Sequence, residues 1–250
     1  MRVQRWVVLA LLLLSALFSG MLYLVGLDAP EGVEQRRALG IARMATGLIV
    51  IWIWLCGGLM YLYRDRIRAR VLALGLNWRL GFVLFCILLA CLEEAVTVTM
   101  TNLAPLFGAE VGEAYITAST NYLDVILFHS VVVFIPYFIV LAWILGRWSF
   151  SPFAVFLSFG IVGTLAEAVF AGNPGVVLGF PMWAFVYGLM VWLPVYCLPQ
   201  DRGARPVGWL GHMVLPFAIF GLAMPLIVPI VYGITVVLGH PGIHFDPVAG

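Results

Sequence analysis

The chain has 250 residues, of which 64% are hydrophobic and only 10% charged, whereas soluble domains are nearer half apolar and a quarter charged. So little polar surface cannot cover a globule in water, and the solvent of this chain must be largely lipid. The formal net charge of +1 excludes the basic field that nucleic acid needs, and the absence of lysine among the 13 basic residues excludes a retinal Schiff base.

A spanning helix takes about 20 mostly apolar residues. Seven stretches qualify in chain order: Trp6–Leu27, Ala42–Tyr63, Leu80–Asn102, Tyr122–Gly146, Phe153–Ala171, Val176–Leu198 and Met213–Leu238. The first follows Arg2 and Arg5, as a secretory signal would. Its apolar run of about 22 residues, however, exceeds the 7–15-residue core of a cleaved signal. The expected architecture is therefore all-α: a polytopic bundle of about seven helices forming a single integral membrane domain over residues 1–250.

Orientation follows from the arginines. With the N-terminus in the cytoplasm, Arg2, Arg5, Arg64, Arg66, Arg68, Arg70, Arg79, Arg147, Arg202 and Arg205 fall inside, and only Arg36, Arg37 and Arg43 outside. That split obeys the positive-inside rule, with the apparent loop YRDRIRAR as its strongest element. The C-terminus then lies outside, and a prokaryotic cytoplasmic membrane is the expected location. Trp6, Tyr63, Trp78, Trp148 and Trp209 stand near span ends, as interfacial aromatics do. The long outer connection after Asn102 predicts a short helix or re-entrant cap.

The third span contains CLEEAVTVTMTN, Cys91 to Asn102. At 100° per residue, Thr101, Ala90, Thr97, Cys86 and Glu93 all fall within about 100° of Glu94 on one side. This small, polar stripe must face protein or water, because carboxylates are expensive against lipid. Thr99 points elsewhere, which suits a hydroxyl bonded to its own backbone. Helical rise places Glu94 about 12 Å below Asn102, His129 about 10 Å below Tyr122, and Glu167 about 6 Å below the outer end of the fifth span. Asn121 and Asp124 stand at the mouth of the fourth. Asp124 and His129 are five residues apart, about 140° around an α-helix, so His129 is the expected inward member. Beside Glu167, Gly160, Gly163, Thr164 and Ala171 form a small-residue face that permits close helix approach.

Intramembrane ionisable groups are functional by default. The candidate catalytic residues are Glu93, Glu94 and His129. Glu94, His129 and Glu167 are candidate ligands for a divalent metal such as zinc, with Thr97, Thr101, Asn102 and Asp124 as supporting polar groups. In the tail, GHPGIHFDPVAG carries His240, His244 and Asp246, but Pro241 and Gly242 interrupt the helix that a His-x-x-x-His metal spacing requires; a solvated tail is expected. His212 lies at the inner end of the last span, as an interfacial residue. Cys56, Cys86, Cys91 and Cys197 lie in or beside apolar spans without a Cys-x-x-Cys pair, which reads as buried thiols. Four prolines or glycines (Pro216, Pro225, Pro229, Gly233) interrupt the last span, and Pro181 and Pro194 the sixth. These predict kinked helices facing the bundle.

A Glu-Glu pair in one membrane helix followed by a histidine in the next resembles the CAAX-type intramembrane protease family, in which a glutamate and histidines activate water. The resemblance covers Glu93, Glu94 and His129. It stops at Val98, where that family has arginine, at Val125, where it has phenylalanine, and at Pro216, where it has asparagine, so it implies no membership.

Three functions suit this pattern. One is a subunit or binding component of a membrane complex, whose partners are the bilayer and other membrane subunits. The second is a metal-dependent intramembrane hydrolase acting on protein or lipid. The third is a proton-coupled small-molecule transporter.

Overall fold

The computed structural model describes residues 2–170 and 174–242; His244, Asp246 and Ala171 lie outside them. The described chain is helical throughout, apart from loops and one pair of two-residue strands. Six helices are long and apolar enough to cross a bilayer, and two further helices bent by 50° at Ser130 make a seventh span if the pair is counted as one. We label them α1 (Arg2–Asp28), α2 (Val33–Ala73), α3 (Trp78–Asn102), α4 (Tyr122–His129), α5 (Val131–Leu145), α6 (Pro152–Phe170), α7 (Phe180–Tyr196) and α8 (Trp209–Tyr232). Pairs α4 and α5 form the bent span. The sevenfold expectation thus matches the helices one to one.

Helix α7 is the hub. It packs against α1, α2, α3 and α6, and Ala184, Val186, Met190 and Val191 on it are almost fully buried. Its approach to α6 is close because glycines stand at the contact. A Cβ on Gly160 would meet the Ala184 Cα at 2.7 Å, and one on Gly188 would meet the Phe156 ring at 2.5 Å. The predicted small-residue face is therefore a helix-packing face, as lipid-embedded bundles require. Leucines at positions 9, 13, 17 and 24 of α1 stay exposed, the expected outer surface of a bundle solvated by acyl chains.

Helix α2 corrects the reading of YRDRIRAR as a loop. It runs 41 residues without interruption, about 60 Å at 1.5 Å per residue, roughly twice the hydrocarbon thickness. Arg64 to Arg70 continue it as helix. Nothing in that segment breaks a helix, and arginine is a good helix former. Its middle, Ile49–Cys56, is π-helical, and the Trp52 indole there donates to the Val186 carbonyl of α7 at 3.1 Å.

The two ends of the bundle differ in chemistry. At one end, Arg64, Arg79 and Arg147 lie over the rings of Tyr61, Trp78 and Trp143 at 4.3, 4.9 and 3.9 Å, and Arg202 donates to the Leu145 carbonyl that ends α5. At the other end the loop after α3 forms a 3₁₀ turn at Ala104–Phe107, the expected short helix. Arg43 donates to the Phe107 carbonyl, and Arg36 pairs with Glu113 at 3.0 Å. Two of the three minority arginines are thus staples that hold this loop to the start of α2.

Candidate metal centre and buried carboxylate cluster

Helix α3 is regular, so the predicted stripe survives intact. Cys86, Ala90, Glu93, Glu94, Thr97 and Thr101 are all buried, while Leu84, Leu88 and Leu92 on the other side are exposed. Thr99 donates to the Ala95 carbonyl at 2.6 Å, away from the stripe. Thr101 accepts from the Ile116 amide at 3.2 Å and Asn102 donates to the Thr120 carbonyl at 3.0 Å, so both anchor the loop above. Among the supporting residues, only Thr97 touches a carboxylate directly: its hydroxyl lies 2.9 Å from Glu94 Oε2. The other oxygen, Oε1, accepts from Ser130.

Ser130 is the break between α4 and α5. Its amide bonds back five residues to Val125 at 2.9 Å, and Val125–His129 is a π-helical turn. Serine favours helix N-caps, and Ser130 occupies the N-cap position of α5. Its hydroxyl makes no cap bond because it is spent on Glu94.

That π turn overturns one geometric expectation. In an i→i+5 turn, residues five apart share a face, so Asp124 and His129 point to the same place. Their Oδ2 and Nε2 atoms lie 3.2 Å apart. Asn121 caps α4 through the Leu123 amide at 3.0 Å and thereby fixes the start of this turn. Asp124 is also bonded by the Ser119 hydroxyl.

The tail supplies the third group, which corrects the expectation of a solvated His240. A π-helical segment, Gly233–Val237, extends α8. Gly239 then takes a left-handed φ of +67°, a conformation glycine adopts without penalty, and the His240 amide bonds the Ile234 carbonyl at 3.0 Å. The chain so turned lays the imidazole against Phe128, ring centroids 4.6 Å apart, and brings Nε2 to 2.8 Å from Asp124 Oδ1. Asp124, His129 and His240 together offer three ligand atoms within 4.8 Å of one another. Their side chains are 11, 8 and 16% exposed, which leaves the group reachable from the end of the bundle.

Glu167 belongs to the other cluster. Its carboxylate accepts from the Tyr187 hydroxyl of α7, and Tyr187 reaches it because its ring lies flat on Gly163, where any Cβ would overlap it. Glu93, Glu94, Glu167 and Tyr187 lie in one another's electrostatic field. Among the described residues no arginine is buried. Glu93 is 3% exposed and makes no side-chain hydrogen bond to a described residue. Thus Glu93, Glu94 and Glu167 gather in the interior, while His129 turns toward Asp124 and His240. The two clusters meet at the adjacent residues His129 and Ser130. His212 lies apart from both, bonded to the Gly208 carbonyl at 3.0 Å, and the four cysteines are free thiols.

Sequence reasoning missed Asp124 and His240 as partners of His129. The available signals were the helix-ending Leu-Gly-His-Pro at 238–241 and the Ser-Val-Val-Val helix start at 130.

Comparison with family models, with curated proteins and with solved structures gives no match to any part of the chain. The likeness to CAAX-type proteases therefore gains no support beyond the three residues that suggested it.

Proposed function

We propose that this membrane protein is a binding component for a first-row divalent cation such as zinc, held by Asp124, His129 and His240 at one end of the bundle. The observation that carries the reading is the convergence of two imidazoles and one carboxylate from α4 and the segment after α8. Ligand atoms around tetrahedral zinc stand about 3.3 Å apart, given bonds of about 2.0–2.1 Å. The present separations are 2.8 Å from His240 Nε2 to Asp124 Oδ1 and 3.2 Å from His129 Nε2 to Asp124 Oδ2, and the three ligand atoms lie within 4.8 Å of one another, so an ion would replace two hydrogen bonds as the group contracts around it. The arginine distribution supports a reading in which this end faces the extracytoplasmic side of a cytoplasmic membrane and the ion arrives from outside. Such a component works alone or within a larger membrane assembly.

The test is cobalt or zinc titration of chelator-stripped protein in detergent. One ion per chain is expected, with affinity falling on the order of 100-fold or more in His129→Ala and in His240→Ala, since each removes one of three ligands. Affinity equal to the wild type in both variants, or no saturable binding, overturns the proposal.

A second reading is favoured by the ligand count. Three protein ligands leave a position open for water, as in hydrolytic zinc sites, and Glu94 is the nearby carboxylate. Against it, both Glu94 oxygens are engaged, by Ser130 and Thr97, whereas a general base must reach the water it activates. Metal-dependent cleavage of peptide or lipid substrates that Glu94→Gln abolishes would favour the hydrolase over the binding component.

A further inference from the structure

At the arginine-rich end of the bundle, two consecutive helices turn back on each other without closing. The chain leaves α2, turns through Gly75 at a left-handed φ of +63° and returns as α3. Ile67, Arg70, Val71 and Leu74 recur at helical spacing on α2, and with Gly81 and Phe85 of α3 they line a groove of about 700 Å³. Pro194 and Leu198, at the end of α7, complete its lining. Elsewhere the bundle is tight, as at the glycines between α6 and α7. Here a Cβ on Gly81 would meet only the Leu76 Cβ, at an ordinary 3.8 Å.

The shape of the groove points to an acyl chain. It follows α3 from Trp78 to Leu88, ten residues or about 15 Å. That is half of the roughly 30 Å hydrocarbon core, the depth of one leaflet. Leu84 and Leu88 in its lining are exposed, so the groove opens toward the lipid. Leu72, Leu74 and Leu76 at the turn are exposed as well, which suits a segment lying at the headgroup–acyl boundary. A protein loop would bring backbone amides that such walls cannot satisfy; an acyl chain brings none.

Charge selects the headgroup. Arg70 and Asn77, the charged and amide groups of the lining, both stand close to the turn. Arg64, Arg66 and Arg68 on the same helix lie over Tyr61, Tyr63 and Tyr196 at 4.3, 5.6 and 5.8 Å. Among the described residues, by contrast, no carboxylate, carbonyl or ring engages Arg70. Four arginines and one aspartate fall between Arg64 and Arg70, and basic pockets between spanning helices hold anionic headgroups.

We propose that this groove binds one anionic phospholipid of the adjoining leaflet, with an acyl chain between α2 and α3 and its phosphate on Arg70. The lipid braces the two helices where the protein leaves them apart. The site is independent of the metal centre at the other end of the bundle.

The test is native mass spectrometry of the delipidated full chain in a non-ionic detergent, titrated with phosphatidylglycerol or phosphatidylcholine of identical acyl chains. Wild type is expected to bind one phosphatidylglycerol at least about fivefold more tightly than phosphatidylcholine. Arg70→Gln should lose about fivefold for phosphatidylglycerol, the worth of one arginine at a lipid surface, and nothing for phosphatidylcholine. Gly81→Trp fills the open space beside Leu76 and should weaken both lipids. Arg205→Gln, at the same end but outside the groove, should bind as wild type does. Arg70 is exposed and unpaired, so its variant decides the matter alone if Gly81→Trp does not fold. Equal affinity of wild type for the two lipids, or equal behaviour of Arg70→Gln and Arg205→Gln, would reduce the groove to bulk-lipid contact and overturn the proposal. A dimer whose formation excludes phosphatidylglycerol would give the groove to a second copy of the chain and overturn it as well.

Discussion

The two clusters solve the same problem, an acid in a lipid-embedded bundle, in opposite ways. Deep in the bundle Glu94 and Glu167 accept from hydroxyls, Glu93 lies beside them, and no arginine is buried among the described residues. At the bundle end Asp124 is set between two imidazoles. The contrast follows from depth. Near the end the side chains keep some exposure and an acid can stand beside imidazoles; in the interior an ion pair would cost several kcal/mol of desolvation per ion, so hydroxyl donors take over. The inner cluster should therefore respond to packing and to hydrogen-bond loss, and the end cluster to backbone turns and to metal.

The largest expected effect is on the inner side. In Gly163→Ala the added methyl falls inside the Tyr187 ring, and neither helix can retreat because Gly160 and Gly188 are in equally close contact nearby. Overpacking of this kind costs about 1–3 kcal/mol, and here it also pulls Tyr187 off Glu167. Thermal unfolding in detergent should show a lower midpoint, with intrinsic tyrosine or tryptophan signals reporting the displaced ring. An unchanged midpoint would mean that α6 and α7 are not packed as described.

Next come two neighbouring glutamates whose substitutions should differ in sign. Glu94→Ala strips Ser130 of its acceptor, while Thr97 keeps the Glu94 backbone carbonyl, and should destabilise by about 1–3 kcal/mol. Glu93→Leu removes a carboxyl without a partner and should leave the metal-free protein as stable or more stable. Equal losses in both variants would show that Glu93 has a partner in the resting protein and would weaken the contrast drawn here.

The end cluster is tested through its turn. Gly239→Ala places a Cβ at φ +67°, a penalty of about 1–2 kcal/mol that falls on the segment carrying His240 and not on the bundle. Metal affinity should drop while the unfolding midpoint of the metal-free protein barely moves. A parallel fall in both would mean that the segment after α8 supports the whole fold.

What was legible from sequence divides along the same line. Helix α3 keeps 3.6 residues per turn, so a periodic reading placed Glu93, Glu94, Thr97 and Thr101 on one buried face and Thr99 off it. The span counts were legible for the same reason, since length and apolarity decide them. The α4–α5 span was not, because the turn at Val125–His129 closes over five residues and moves Asp124 beside His129; no propensity distinguishes such a turn from an α-helical one. His240 was hidden twice over: its contact is 116 residues away in sequence from Asp124, and it depends on a glycine turn that reads equally well as the start of a loose tail. The extension of α2 past Tyr63 is not legible from charge, because a run of arginines suits a loop and a helix alike, and arginine does not end a helix.

The smallest effect lies outside the membrane, in the loop that covers the bundle end. Glu113 accepts from the Glu110 amide at 2.8 Å and from Arg36 at 3.0 Å. The backbone bond first, and the guanidinium after it, hold its carboxyl below the ordinary value. A carboxyl whose folded pKa is depressed adds stability above its unfolded pKa and loses it as pH falls through the folded one. The loop staple should therefore be intact at neutral pH and released only under acid conditions, below the ordinary range of a glutamate. Because the pair stands at the edge of the molecule, water and salt screen it, and the change should stay local. Hydrogen exchange, corrected for intrinsic rates, should show faster exchange of the Glu110 amide at pH 3 than at pH 7, with α3 unaffected. Glu113→Gln should exchange at the faster rate at both pH values. If protection at Glu110 is the same in wild type and variant at neutral pH, the loop is held by Arg43, Thr101 and Asn102, and the closure of the bundle end owes nothing to Glu113.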